Sequence, residues 1–406
     1  MIDLAVVGGG IMGSSVALFA ARGGLSTAVF ERDTLARGAS GVNAGTLTMQ
    51  MTRVALMPYA LRAHAMWADA ARWLGHDVGV KVCDGLSLAF TEQEEALLSY
   101  RAGRRAEAGA PIRLVSAKEA RRIEPGLSDR VRMASHCPVD GFANAYQTGE
   151  AYRRALRQAG VAVHERRPVS RVERDGPGFL VASGDELCRA RQVVLAGGVW
   201  LEPMARWFGL ELPIRTLVNQ LAVTERTSPV MRTVVGIASG LLSLKQFPHG
   251  SVVIGGGWQG RGERETNSHA VDPDSLIGNA RLASYTIPAL GATRVVRAWT
   301  GFEAETADAL PAVGPLPGVE GAWLCGSVHS GYTSGPYIAK CLAEAILGHE
   351  PEMPLFPIDR LLAGDAGAAS SITTDRSPAT DGENGRRSDE SLPMIGNPPP
   401  PGRRNL

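Results

Sequence analysis

This chain has almost no net charge, no long apolar run and no paired cysteines, and each shortage removes a class of function. With 42 Lys and Arg against 41 Asp and Glu, there is no field to gather nucleic acid or an anionic membrane surface. No apolar run reaches the length of a membrane span, and no charged segment precedes the apolar residues that start at Ile2. Neither a transmembrane helix nor a signal peptide is expected. The five cysteines, Cys83, Cys137, Cys188, Cys325 and Cys341, are scattered, odd in number and without a C-x-x-C pair. They suit buried thiols in a reducing cytoplasm and argue against a disulfide frame, a zinc site or an iron–sulfur site, so no metal is expected. At 406 residues the chain is long enough for more than one core, and two domains are the natural expectation.

What the chain does have begins at its first residues. The apolar run Leu4-Ala5-Val6-Val7 leads into Gly8-Gly9-Gly10-Ile11-Met12-Gly13, and a second apolar run, Thr27-Ala28-Val29-Phe30, closes on Glu31. This order of strand, glycines, helix, strand and acid is the fingerprint of a dinucleotide-binding turn. Gly8 makes the turn, Gly10 lets backbone approach a pyrophosphate, and Gly13 lets a helix over 11–21 pack close to the sheet. The helix N-terminus meets the phosphates with unpaired N–H groups and the positive end of its dipole. Glu31 stands where a carboxylate accepts hydrogen bonds from a ribose diol, and it argues against a 2′-phosphorylated nucleotide. FAD and NAD both remain open on this motif. The following run, Arg37 to Leu47, is rich in small residues that let backbone N–H groups crowd a long ligand. It suits the flavin half of FAD, or else a surface loop.

Here the chain resembles the FAD-dependent family of D-amino acid oxidase, glycine oxidase and sarcosine oxidase. Three further segments carry the resemblance: Gln192 to Trp200, Arg297 to Gly314, and Leu324 to Tyr332 leading into Gly335-Pro336. Asn43-Ala44-Gly45-Thr46-Leu47 and Gly255-Gly256-Gly257-Trp258 are most similar to the branch of opine oxidases, hydroxyproline dehydrogenases and sarcosine oxidase beta subunits. The resemblance implies an α/β fold in which a Rossmann-like FAD-binding domain interleaves with an antiparallel-sheet substrate domain. The expected division is 1–82, 145–205 and 306–362 for the FAD domain and 83–144 and 206–305 for the substrate domain. It also implies cofactor contacts at Gly8, Gly10, Gly13, Glu31, Arg32, Ser40, Asn43, Ala44, Gly45, Val172, Gly197, Trp200, Gly326, Gly331, Tyr332 and Thr333.

The pattern of the chain agrees with interleaving. A helix is expected over 58–73, strands over 85–91, a helix over 150–159, and a short meander over 161–164, 168–172 and 178–182. Residues 206–305 read as strand-rich. Gly335-Pro336 reads as the start of a last helix, with Gly348 as its stop. By the resemblance, that helix directs its positive end at the flavin, although it also reads as a helix that merely covers the sheet. After Leu362 the chain turns rich in Gly, Ser, Asp, Arg and Pro and ends through Pro398-Pro399-Pro400-Pro401. A disordered tail over 363–406 is expected, because too few large apolar residues are present to offset ordering entropy.

The implied chemistry is oxidation of a C–N bond by hydride transfer to FAD, with Thr46, Leu47, Trp258, Glu303, His329 and Tyr332 around the substrate cavity. Glycine oxidase-like relatives grip the substrate carboxylate with arginines, and Glu303 and His329 stand in those positions. Glu303 repels a carboxylate and attracts a secondary amine, so an imino acid, N-methyl amino acid or opine-like compound is expected, with Arg53 as an alternative carboxylate grip. Each of the three also has an ordinary reading: an ion pair for Glu303, a loop histidine for His329, a solvated cation for Arg53. The alternatives to this function are a D-amino acid or glycine-type oxidase, and a non-catalytic flavoprotein subunit. Monomeric sarcosine oxidases attach flavin through a cysteine near the position of Gly301, so FAD is expected to be non-covalent. They also supply a lysine for reaction with oxygen where this chain has Val253, and Lys245 lies a few residues earlier. A dehydrogenase with electron-accepting partner subunits is therefore expected ahead of an oxidase.

Overall fold

The computed structural model describes residues 1–328 and 331–362. Ile2–Val7 lies between Thr27–Phe30 and Glu186–Leu195 and is parallel to both, with Val6 level with Val29 and Val194. Parallel strands are joined by helices that cover both faces, which is why these strands are nearly continuous apolar runs rather than alternating ones. Ala162–His164 extends the sheet beyond Thr27–Phe30. The far half of Glu186–Leu195 pairs in parallel with Ala322–Gly326, while Arg171–Asp175 and Gly178–Ser183 form an antiparallel hairpin on its near half. Helix Ile11–Arg22 packs with Met57–Ala68 and Gly331–Ile346 in one apolar core that includes Val16, Leu18, Trp67, Tyr337, Ile338 and Leu342.

The second large sheet runs Val295–Thr306, Ile214–Thr224, Val252–Gly255, Ser243–Gln246, Val234–Ile237, Gly85–Ala89, Met133–Cys137, Arg113–Ser116. Its pairings are antiparallel except between Val234–Ile237 and Gly85–Ala89. A small sheet of Thr46–Leu47, Gly141–Phe142 and Lys81–Val82 stands beside it.

Several element boundaries depart from the sequence expectations. The helix expected over 58–73 is two, Met57–Ala68 and Ala70–Trp73, because Asp69 leaves helical geometry at φ −103°, ψ 21°. The helix expected from 150 starts a turn earlier, as Ala145–Gln158, because the Asn144 side chain caps the Gln147 N–H. The strand expected over 168–172 begins only at Arg171.

Gly335-Pro336 does not start the last helix, which runs Gly331–Ile346 with Pro336 inside it. A proline there removes the N–H that would reach the carbonyl four residues back. The Trp67 indole Nε1–H supplies the missing donor, at 3.2 Å from the Tyr332 carbonyl and 3.0 Å from that of Thr333. Gly335 instead serves close packing, since a Cβ there would lie 2.6 Å from Met12 Sδ on the first helix.

Candidate active site

One large cavity of about 1480 Å³ opens between the two main sheets and runs from the Gly8–Gly10 turn to the inner face of the second sheet. Single small-ligand sites are roughly 300–1,000 Å³, so this space has room for a long ligand and a smaller one beside it.

At the dinucleotide end the local geometry follows from the glycines. Gly8 has φ +113° and a Cβ there would meet the Ala196 carbonyl oxygen at 2.4 Å; a Cβ on Gly13 would meet the Gly8 oxygen at 2.1 Å. Gly10 is different: a Cβ would touch only Ser40 Oγ, at 3.3 Å, and the space ahead of it is the cavity itself. Glu31 is held with its carboxylate taking the Gly9 N–H at 2.8 Å and the Asp33 N–H at 2.9 Å. Beside it Arg32 lies on the Trp200 ring, 3.4 Å from ring centroid to guanidinium carbon, and is tied to Asn267.

The small-residue segment forms the next wall. Ser40 Oγ accepts the Ile11 N–H at 2.9 Å, so it caps the first helix from outside. Asn43 folds the loop on itself, donating to the Ser40 carbonyl and accepting the Gly45 N–H at 2.6 Å. Gly45, with φ +70°, is a turn residue away from the lining, since a Cβ would strike the Ala143 oxygen at 2.1 Å. Ala44 and Thr46 line the cavity. Behind them the fully buried Lys245 donates to the Ala44 carbonyl at 3.2 Å and to Thr46 Oγ1. Burial pulls this ammonium down to about 7. Val253 stands opposite Lys245 on the neighbouring strand.

Gly197, Trp200, Gly326, Gly331, Tyr332 and Thr333 also line the cavity. The N-terminus of helix Gly331–Ile346 thus opens on it, with Thr333 Oγ1 donating to the Thr46 carbonyl at 3.2 Å. Tyr332 stacks on Trp67 and shares a 2.7 Å hydrogen bond with Thr148. Val172 is a correction. It is fully buried in the hairpin sheet, and Pro168 and Val169, in the segment leading into that strand, line the cavity instead.

At the substrate end, strands Ile214–Thr224 and Val295–Thr306 place Asn219, Glu303 and Glu305 on the cavity. Glu303 accepts from Asn219 Nδ2, and Asn219 Oδ1 in turn accepts from Gln259 Nε2 at 2.7 Å. Arg53 is not a solvated cation: it pairs with Glu305 at 3.0 Å and donates to the Ala309 carbonyl at 3.1 Å. Arg215 meets the other oxygen of Glu305. Trp258 lines the cavity with its ring against Gly278. His329 lies outside the described residues, as does the 363–406 segment.

The sequence reading did not single out Arg215, Asn219, Gln259, Arg101 or Arg105. Asn219 and Gln259 carried no motif; their signal is a polar side chain at an inward register position. Arg101 and Arg105 sit at helical spacing on the face that buries Leu98, a position an amphipathic pattern reserves for apolar residues. Among the described residues there is no group of acidic, His or Cys side chains that could hold a metal, and no helix long and apolar enough to cross a membrane.

The profile of the FAD dependent oxidoreductase family, DAO, matches residues 3–345. The chain belongs to this family. It is 29% identical over 386 residues to an opine oxidase subunit of Rhizobium meliloti, covering 90% of this chain and 99% of that one. It is 25% identical over 364 residues to glycine oxidase of Geobacillus kaustophilus, covering 87% and 95%. The crystal structure of glycine oxidase from Geobacillus kaustophilus superposes with a TM-score of 0.81 at 24% identity, covering 88% of this chain and 97% of the other.

The cavity fits the FAD of this family. The space before Gly10 has room for a pyrophosphate, Glu31 lies on the same stretch of cavity wall, and Ser327, at φ +53°, brings a buried hydroxyl that has no partner among the described residues. Such a strained, unsatisfied residue on a cavity wall marks a ligand position. Gly301 leaves no room for an attachment cysteine, since a Cβ there would meet Val42 Cγ2 at 2.2 Å. Acid precipitation is accordingly expected to release the yellow cofactor into the supernatant; colour remaining on the denatured protein would contradict this.

Proposed function

We propose that this FAD-dependent oxidoreductase oxidises the C–N bond of a secondary amine that carries a carboxylate, such as an imino acid, an N-alkyl amino acid or an opine-like compound. The observation that carries the reading is the carboxylate of Glu303 on the cavity wall, fixed by Asn219 and Gln259. A half-buried carboxylate on a cavity wall attracts an ammonium and repels an acid, so the two ends of an amino acid are sorted: amine towards Glu303, carboxylate towards Arg53. The names of the relatives, an opine oxidase subunit and a glycine oxidase, support the same class of substrate.

Bound FAD supplies the hydride acceptor. The chain's own part is to orient the C–H beside nitrogen, to take the amine's proton on a Glu303 carboxylate oxygen before the hydride leaves, and to exclude water until the imine has formed. Hydrolysis of that imine then gives a carbonyl compound and a smaller amine. Glu303→Gln is expected to slow substrate-driven flavin bleaching by roughly tenfold to a hundredfold while FAD content and melting temperature stay near wild type. Unchanged bleaching under saturating amine would return Glu303 to a purely structural role.

We further infer that the electrons leave to an acceptor other than oxygen, and that a partner subunit carries them. The apolar Val253 and the relative's designation as a subunit support this reading. Stopped-flow reoxidation in air-saturated buffer decides it: reoxidation as fast as turnover, with stoichiometric peroxide, makes the chain an oxidase.

A further inference from the structure

Between strand Val252–Gly255 and helix Pro273–Thr286 the chain leaves the second sheet as a hairpin, Arg261–Glu263 paired with Ser268–Ala270. Its shape follows from two residues. Gly262, at φ +153°, lets the strands close, since a Cβ there would meet the Ser268 oxygen at 2.3 Å, and Asn267 takes φ +50° at the tip, a conformation asparagine tolerates better than most residues. All the strand residues of the hairpin are exposed, and an isolated two-stranded hairpin is marginal in water. Contacts made by its side chains therefore hold it in place.

Those contacts lie at both ends. At the base, Arg261 pairs with Asp272, and His269 Nδ1 shares a 2.7 Å hydrogen bond with Thr300 Oγ1. At the tip, the hairpin crosses to the turn that follows strand Glu186–Leu195 of the first sheet. Arg264 Nη1 reaches Glu202 Oε2 at 2.5 Å and the Val199 carbonyl at 3.2 Å, and Asn267 Oδ1 accepts from Arg32 Nη2 at 3.3 Å. The Arg264 and Glu202 side chains are only 13% and 18% exposed, so water and salt screen this pair weakly. The tip contacts converge on one spot: Val199 precedes Trp200, whose ring carries Arg32, and Glu202 follows on helix Leu201–Ala205. Asn267 and His269 line the cavity together with Arg32, Val199 and Trp200, on the stretch of wall that begins at Glu31.

We propose that the hairpin is a clasp for the cofactor: Asn267 and His269 close on the nucleotide half of bound FAD, Arg264 latches the tip to Glu202, and opening of the latch sets the rate at which FAD leaves. A segment with exposed strands and only polar fastenings opens without unfolding either sheet. The clasp is independent of which amine is oxidised.

The test follows release of FAD from the holoenzyme after large dilution, read as flavin fluorescence. Arg264→Met keeps the stem and removes the latch, and Asn267→Gly keeps the left-handed tip and removes the tie to Arg32. The rate of release is expected to rise by roughly tenfold to a hundredfold in the first variant and by a smaller factor in the second, with the melting temperature of the FAD-free protein at the wild-type value in both. Trypsin gives an independent readout on wild type, because Arg261 and Arg264 both lie in the hairpin. Cleavage at these two sites, identified by fragment mass, is expected to be several times slower with FAD bound than without it.

An unchanged rate of release in both variants overturns the clasp, as does equal cleavage with and without FAD. A lower melting temperature of the FAD-free variants without faster release overturns it too, since the hairpin would then be a brace between the two sheets and nothing more.

Discussion

Gly10→Leu protein is expected to purify folded and colourless. The Cβ of this residue would touch only Ser40 Oγ, at 3.3 Å, and the longer side chain extends into open cavity where the pyrophosphate must approach the backbone. No backbone has to move, so the fold survives and the cofactor does not. Neighbouring glycines behave differently. Gly8→Val and Gly13→Leu drive a Cβ into the Ala196 and Gly8 carbonyls at 2.4 and 2.1 Å, and both are expected to lose solubility or melt far below wild type. The measurement is flavin absorbance per mole of protein together with melting temperature. Gly10→Leu should melt where FAD-stripped wild type melts, because only the ligand's mass-action stabilisation, ~3 kcal/mol at a hundredfold excess over Kd, has gone. Full FAD occupancy in Gly10→Leu would falsify the placement of the pyrophosphate.

The dinucleotide end was legible because its constraints are local. A turn that needs φ +113° at Gly8, a helix that must approach within van der Waals range at Gly13 and an acid at the end of the next strand all leave their mark within about 30 residues of sequence. The substrate end was less so. Glu303, Asn219, Arg53 and Glu305 come together only through the pairing of Ile214–Thr224 with Val295–Thr306 and the return of the 44–53 segment across it, and no spacing in the chain announces such contacts. Pro336 shows the same limit from the other side. Proline is a sound start signal when only the helix is considered, but a tryptophan almost 270 residues earlier satisfies the carbonyl it orphans, and the helix continues through it. Val172 failed for a simpler reason: the segment before the strand, not the strand, reaches the cavity.

Lys245 tests the environment behind the flavin-side loop without reference to turnover. Desolvation is the main cause of its lowering to about 7, with the nearby Cys83 opposing it weakly. Below pH 7 the folded and unfolded chains both hold this proton, and the fold bears the full cost of a buried ammonium. Between about 7 and 10.5 the unfolded chain binds the proton more tightly than the folded one, so this residue makes stability rise with pH. Buried thiols work in the opposite sense: Cys83 is pushed up to about 11 by burial, so above the ordinary thiol range near 8.5 an unfolded chain gains by ionising it. Comparing wild type with Lys245→Met removes that background, because the thiols are common to both. Wild type is expected to gain on the variant by about 1.4 kcal/mol for each pH unit above 7, read as a shrinking difference in urea unfolding free energy between pH 6.5 and 9. The loss of the donor to Ala44 and Thr46 shifts the whole curve by a constant and leaves its slope untouched. A difference that stays flat across this range would mean that Lys245 keeps an ordinary, solvated proton, and that the wall behind Thr46 is open to water rather than closed.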